Sequence, residues 1–361
     1  MALIALAAVI LLVTLAAAGL ATANSTPTGR ATPPLVGFSF SPRTASYYGE
    51  DPLPALSELL RLVHPNLVRL PIYWDSVAAN RQILDFSEAD GLISTVEAYN
   101  AEYPNSPASV MLVVGIRNLG FPEIYAPSWI YANASVKSMV ANPDYQRYLA
   151  SALERYSHLA ILTAWQMENE PFDNVSPTSQ SDAVPTAEVA SEVALAHRLD
   201  PHHPVVVTSY NNASVALDRT QVSPYWKLLA WLRHGGPQTV GHMNQALAAG
   251  DVAGLDAYVV TPSTPLATTP ASQRIDWKAL TLAYWSNLSS QHDKPLWVTE
   301  MQAMPWNGEP GFTTQNLLQS AKSYARRGPA VFLLWGVEYW LTQPTWLAAG
   351  EATVSELRAT N

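Results

Sequence analysis

Eight short apolar runs, most of them separated by helix-like segments, constrain the fold of this chain more than any other feature. They read "LVGFSF" (35–40), "LVRLPIYW" (67–74), "SVMLVVGI" (109–116), "LAILTAWQM" (159–167), "PVVVTSY" (204–210), "AGLDAYVV" (253–260), "PLWVTEMQ" (295–302) and "AVFLLWGV" (330–337). A strand with one wet face alternates apolar and polar residues, whereas a parallel strand covered on both faces reads as a nearly continuous apolar run. These runs are of the second kind. Helical spacing marks 53–63, 86–103, 143–157, 186–199, 276–292 and 313–327, with a less regular helical stretch at 224–234 and a short final helix at 344–358. Ser87 is the expected N-cap of the helix at 86–103. Eight such β–α units in 361 residues predict a single-domain (β/α)8 barrel over 35–361. A doubly wound open sheet is the alternative, but the chain contains neither GxGxxG nor GxxxxGK[ST] to support it.

The segment from Ala2 to Ala23 is apolar and is followed by a Pro/Thr linker at 24–34. It reads either as an export signal cleaved after "ATA" (21–23) or as a retained membrane anchor, its length being enough to span a bilayer. The protein is therefore expected outside the cytoplasm, secreted or anchored. Cysteine is absent, which excludes disulfides, thiol nucleophiles and zinc–thiolate sites. Neither HxH nor HExxH occurs, so no metal and no cofactor are expected. The net charge of −9 without a basic cluster argues against nucleic acid as a partner. The 12 Trp and 16 Tyr suit a core, and they also suit stacking on the faces of an oligo- or polysaccharide.

In a (β/α)8 barrel the chemistry sits where the strands end at their C-termini. Strand two carries Arg69, and strand four ends in Glu168-Asn169-Glu170-Pro171. Strand six ends near Asp256 and Tyr258, strand seven in Thr299-Glu300, and strand eight in Trp335. Buried charge is costly unless it is paired or used. Glu170 and Glu300 end strands on opposite sides of the barrel mouth, the arrangement in which two carboxyl groups can flank a glycosidic bond. Glu168 is the other carboxylate considered for the acid. Arg69 is the expected partner of Glu300. The long segment 117–135 follows strand three, so Trp129 is expected on the catalytic face and in contact with sugar; Trp306, after strand seven, is a further expected sugar contact.

"WQMENEP", "LWVTEMQA", "LVRLPIYW" and "FLLWGVEYW" together resemble the strand-four, strand-seven, strand-two and strand-eight segments of the clan A retaining glycoside hydrolases. The likeness leans toward the cellulase-like family 5 and related β-glycosidases and spans about 35–342. It implies Glu170 as acid/base and Glu300 as nucleophile, with Asn169 on the sugar 2-hydroxyl. Arg69 and Tyr258 would orient Glu300, and Trp335 would form the sugar platform. Two positions depart from the pattern: the strand-three segment "VVGIRN" lacks a His that many family 5 members carry, and Asp256 stands where a His is expected two residues before the strand-six Tyr. Hydrolysis of a β-linked bond with retention is the expected activity. The alternatives are a non-catalytic carbohydrate-binding barrel and a transglycosylase with the same site.

Overall fold

The computed structural model describes residues 33–120, 123–131, 134–172, 183–210, 243–258, 285–286, 288–305, 312–325 and 329–359. The N-terminal apolar segment, Trp306, the helical stretch at 224–234 and most of that at 276–292 lie outside the described residues. Eight strands form a closed, wholly parallel barrel in sequence order: β1 (Leu35–Ser39), β2 (Leu67–Pro71), β3 (Ser109–Val114), β4 (Leu162–Met167), β5 (Val205–Tyr210), β6 (Val252–Ala257), β7 (Leu296–Gln302) and β8 (Val331–Trp335), with β8 pairing back onto β1. Each lies inside one of the eight apolar runs or within a residue of it.

In the first half of the chain the helices are α1 (Pro42–Tyr47), α2 (Pro52–Val63), α3 (Trp74–Val77), α4 (Ser87–Glu102), α5 (Ser128–Tyr131), α6 (Val136–Val140) and α7 (Pro143–Tyr156). The second half adds α8 (Thr186–Leu199), α9 (Met243–Ala249), α10 (Thr314–Ala325), α11 (Glu338–Leu341) and α12 (Pro344–Ala359). Among the described residues no helix is long and apolar enough to cross a membrane.

Local chemistry sets these helices. Asn142 caps α7 by accepting the Asp144 N–H at 2.8 Å, and Pro143 opens its first turn. The buried face of α7 is Tyr145, Tyr148, Leu149, Ala152, Leu153 and Tyr156, spaced as one side of a helix requires. For α4 the sequence expectation is corrected: Ser87 is already helical, and its N–H donates instead to Asp85 Oδ1 at 2.9 Å. An aspartate two positions upstream supplies the acceptor that the Ser87 hydroxyl was expected to provide.

Side chains two apart on a strand share a face. Inside the barrel this makes an apolar floor of Leu67, Met111, Ala164, Val206, Val252, Trp297, Val331 and Leu333. The larger core lies between barrel and helices and includes Val68, Leu70, Trp165, Val205, Val207, Phe332 and Leu334. The floor closes the N-terminal end of the barrel, and the next interior layer is polar.

Candidate active site

That polar layer follows from the same alternation. Two residues beyond the floor stand Arg69 on β2, Gln166 on β4, Thr208 on β5, Thr299 on β7 and Trp335 on β8; on β6 the step repeats from Val252 past Gly254 to Asp256. All but Trp335 are buried.

Glu300 reaches the mouth through an irregularity. Leu255 pairs with Val298 and Asp256 with Glu300, so β7 has one residue more than β6 at this point. Such a bulge bends a strand and re-aims a side chain. Arg69 Nη1 donates to Glu300 Oε1 at 2.7 Å, to Ser39 Oγ at 3.2 Å and to the Thr299 carbonyl at 3.3 Å. Its Nη2 donates to Asn169 Oδ1, and the Tyr258 hydroxyl donates to the other Glu300 oxygen, Oε2. Both oxygens of Glu300 are thus held, in an ion pair whose side chains are 0% and 3% exposed. Loss of one partner from such a pair costs about 3–5 kcal/mol, because the other is left buried and unpaired.

Glu170 is presented by a strained turn. Glu168 and Glu170 have φ of 62° and 46°, left-handed values that are uncommon for a residue with a Cβ and cost on the order of 1–3 kcal/mol each. The turn is tied down on both sides. Glu170 N–H donates to Thr208 Oγ1 at 2.8 Å, Asn169 N–H to the Arg117 carbonyl at 3.0 Å, and Arg117 Nε to the Asn169 carbonyl at 2.9 Å. Glu168 turns away from the mouth. Its carboxylate accepts the N–H groups of Ile116 at 3.0 Å and Arg117 at 2.6 Å, and Tyr145 OH at 2.7 Å. Gly115, at φ 134°, makes room for it: a Cβ there would sit 2.5 Å from Glu168 Cδ.

The result is a convergence of three carboxyl groups. Glu170, Asp256 and Glu300 each place an oxygen within 4.8 Å of the others, and all three residues are buried. This is the set of side chains that could in principle hold a cation, but Arg69 and Tyr258 already occupy Glu300. The sequence-predicted Glu170, Glu300, Asn169, Arg69 and Tyr258 thus come together at one end of the barrel.

No protein-family model and no curated protein matches the sequence. Solved structures do. GH5_18 from Streptomyces cattleya in complex with GlcNAc superposes with a TM-score of 0.59 at 15% identity, covering 92% of this chain and 81% of that one. The exo-beta-1,4-mannosidase Op5Man5 from Opitutaceae bacterium strain TAV5 gives 0.56 at 15% identity, over 93% of this chain and 62% of that one. Endo-glycoceramidase II from Rhodococcus sp. gives 0.52 at 17% identity, over 85% and 74%. The chain shares the fold of GH5 glycoside hydrolases.

Within this glycosidase-type barrel Asp256 is the least expected side chain. It is wholly buried; Oδ1 accepts the Thr299 hydroxyl at 2.7 Å, and Oδ2 has no partner among the described residues. Burial, and then the neighbouring charge of Glu300, push its carboxyl well above the usual carboxylate range. It therefore favours the protonated form beside the Arg69–Glu300 pair.

The aromatic expectations divide. Trp335 is half-buried and meets Tyr258 edge-on, with ring centroids 5.5 Å apart, so it stands beside the Glu300 partner. Trp129 is partly buried and packs against α3. Its Nε1 donates to the Ala78 carbonyl at 2.8 Å, its ring meets Trp74 edge-on at 5.9 Å, and Arg81 lies over its face at 5.5 Å. The neighbouring Tyr125 is likewise buried against Tyr73 at 4.4 Å. Trp129 and Tyr125 thus pack over Trp74 and Tyr73 at the start of α3, while Tyr131 is exposed. Sequence reasoning passed over Glu192 on α8 altogether, although it is buried at a position where the helical pattern calls for an apolar residue.

Proposed function

We propose that this protein is a retaining glycoside hydrolase that cleaves a β-linked glycosidic bond, with Glu300 as nucleophile and Glu170 as acid/base. The observation that carries the reading is the close approach of the two carboxyl groups, whose oxygens lie within 4.8 Å. Retaining enzymes hold their carboxyl groups about 5–5.5 Å apart, and inverting ones need about 6.5–9.5 Å to admit a water between them.

The chemistry runs in two displacements. A Glu300 oxygen attacks the anomeric carbon as the bond to the leaving oxygen breaks, and Glu170 gives its proton to that oxygen. Glu170, now ionised, takes a proton from water, which attacks the anomeric carbon and releases Glu300. Arg69 and Tyr258 hold the nucleophile in place, so little reorganisation is needed as its charge is consumed and restored. In this reading Asn169 hydrogen-bonds the sugar 2-hydroxyl and Trp335 stacks on the sugar face; the Arg69 bond to Asn169 and the partial exposure of the Trp335 ring support it.

The fold neighbours guide the choice of substrate. The Streptomyces cattleya GH5_18 variant is described in complex with Manb1-4GlcNAc, and Op5Man5 as an exo-beta-1,4-mannosidase. We therefore place β-mannosides and β-glucosides first in a panel of aryl β-glycosides and the disaccharide Manβ1-4GlcNAc. Product stereochemistry followed by proton NMR tests the mechanism. The first-formed sugar should be the β-anomer, and an initial α-anomer would refute the retaining assignment. Added acceptor alcohols would divert the same intermediate to transfer products if the chain is a transglycosylase.

A further inference from the structure

Behind the strained turn lies a second buried acidic group that takes no part in the chemistry above. Tyr145 OH on α7 is 2.7 Å from Glu168 Oε1 and also 2.7 Å from Glu192 Oε1 on α8. Tyr145, Glu168 and Glu192 are 0%, 0% and 2% exposed. A phenol has one proton to donate. It can satisfy one carboxylate, and the second contact at that distance requires another proton, on the carboxyl that receives less. Glu168 already accepts two backbone N–H groups and has the Arg117 guanidinium near it. Glu192 has only the Tyr145 hydroxyl and the Glu168 carboxylate itself beside it, and its Oε2 has no partner among the described residues. The negative charge therefore belongs on Glu168 and the extra proton on Glu192, whose O–H donates to the Tyr145 oxygen while Tyr145 donates to Glu168.

We propose that Glu192, Tyr145 and Glu168 form a buried clamp of two protons and one negative charge, and that Tyr145 and Glu192 are positioning residues for Glu170. The charged end grips the N–H groups of Ile116 and Arg117. Arg117 in turn is laced to both the N–H and the carbonyl of Asn169, the residue before Glu170. The clamp thus holds the left-handed turn from beneath and fixes where the acid/base carboxyl points. The groups facing Glu192 agree with this proton count: Tyr145 and Tyr148 from α7, Glu168 from the turn after β4 and Glu188 on its own helix supply no cation. Burial and the Glu168 charge raise its carboxyl well above the ordinary range.

The clamp itself is independent of the glycosidase reading; its effect on Glu170 rests on that reading. A difference infrared spectrum of wild type minus Glu192→Gln at neutral pH tests the proton directly. It should show the C=O stretch of a protonated carboxyl, and a carboxylate band in its place would overturn the proposal. The amide introduced by Glu192→Gln can donate to Tyr145 as the acid does, so this variant should keep kcat within about twofold.

Tyr145→Phe removes the bridge. It should lower kcat on glycosides with poor leaving groups by about tenfold or more, and much less on activated aryl glycosides, which do not need the Glu170 proton. An equal loss on both substrate types would show that Tyr145 does not position the acid. If wild type cleaves no glycoside, the functional reading fails, yet the infrared band and faster amide exchange at Ile116 and Arg117 in Tyr145→Phe still decide the clamp. Should Tyr145→Phe not fold, Glu168→Gln makes the same comparison, because its amide would oppose the backbone N–H groups.

Discussion

Glu338 gives the protein a stability that should depend on pH in a calculable way. It begins α11, just beyond β8, and is 2% exposed; its Oε1 accepts the Ser41 N–H at 2.6 Å. That bond ties the segment after β8 to the segment after β1. Burial pushes the carboxyl from its ordinary 4.5 up to about 7, against the opposing pull of the backbone N–H groups. The folded state keeps this proton where the unfolded chain has lost it. The associated stability is complete below about pH 4.5 and drains away as pH rises to about 7. Over that interval, at about 1.4 kcal/mol per pH unit, the loss is about 3 kcal/mol. Glu338→Gln keeps an acceptor for Ser41 and cannot ionise. Urea unfolding of both proteins from pH 4.5 to 8 should therefore show the variant gaining about 3 kcal/mol on wild type across the range. Asp256 and Glu192 add slopes of the same sign, but they are common to both proteins and cancel in the difference. Parallel curves would refute the reasoning and mean that Glu338 is ionised throughout.

The two catalytic roles separate by azide. Glu170→Ala should recover turnover of activated aryl glycosides and yield the β-glycosyl azide, whereas Glu300→Gly should yield the α-azide; exchanged products seen by NMR would reverse the assignment. Arg69→Met should lose about 3–5 kcal/mol of unfolding free energy and lower kcat/KM by more than about a hundredfold, because Glu300 is left buried without its cation. An activity within tenfold of wild type would show that Arg69 does not support the nucleophile. Trp129→Ala should lower stability by about 3 kcal/mol in thermal or urea unfolding, in keeping with its packed ring and bonded indole; an unchanged midpoint would return it to the substrate cleft.

The barrel is legible in the sequence because its strands are covered on both faces. Runs such as "SVMLVVGI" and "AVFLLWGV" can hardly be anything else, and the structure shortens them by only a few residues. Arg69 can be placed for the same reason: one arginine inside "LVRLP" needs a partner, and the barrel mouth offers one. The bulge at Thr299 cannot be read. Thr299 and Glu300 are adjacent, and a regular strand would send one of them outward; only the shifted pairing with β6 shows how both serve the mouth. For Trp129, its position after β3 says which end of the barrel it lies on, not which way its ring turns. Glu192 does carry a signal. It shares a helix face with Val189, Val193 and Ala196, and a carboxyl at such a position asks for a buried partner. Tyr145, on the apolar face of α7, lies too far away in sequence for the pair to be seen beforehand.

The division of the barrel interior into an apolar floor and a polar layer has a consequence for how the protein tolerates change. Leu67 and Arg69, Val206 and Thr208, and Val252 and Asp256 sit on the same strands within four residues of one another, yet they answer to different demands. A saturation mutational scan scored once for abundance and once for turnover should resolve this as a single boundary running around the ring. Below it, polar replacements would deplete the folded protein and conservative apolar ones would pass. Above it, many replacements would leave abundance intact and silence turnover. The strand alternation thereby makes the upper ring a place where catalytic preference can be redrawn without rebuilding the foundation beneath it.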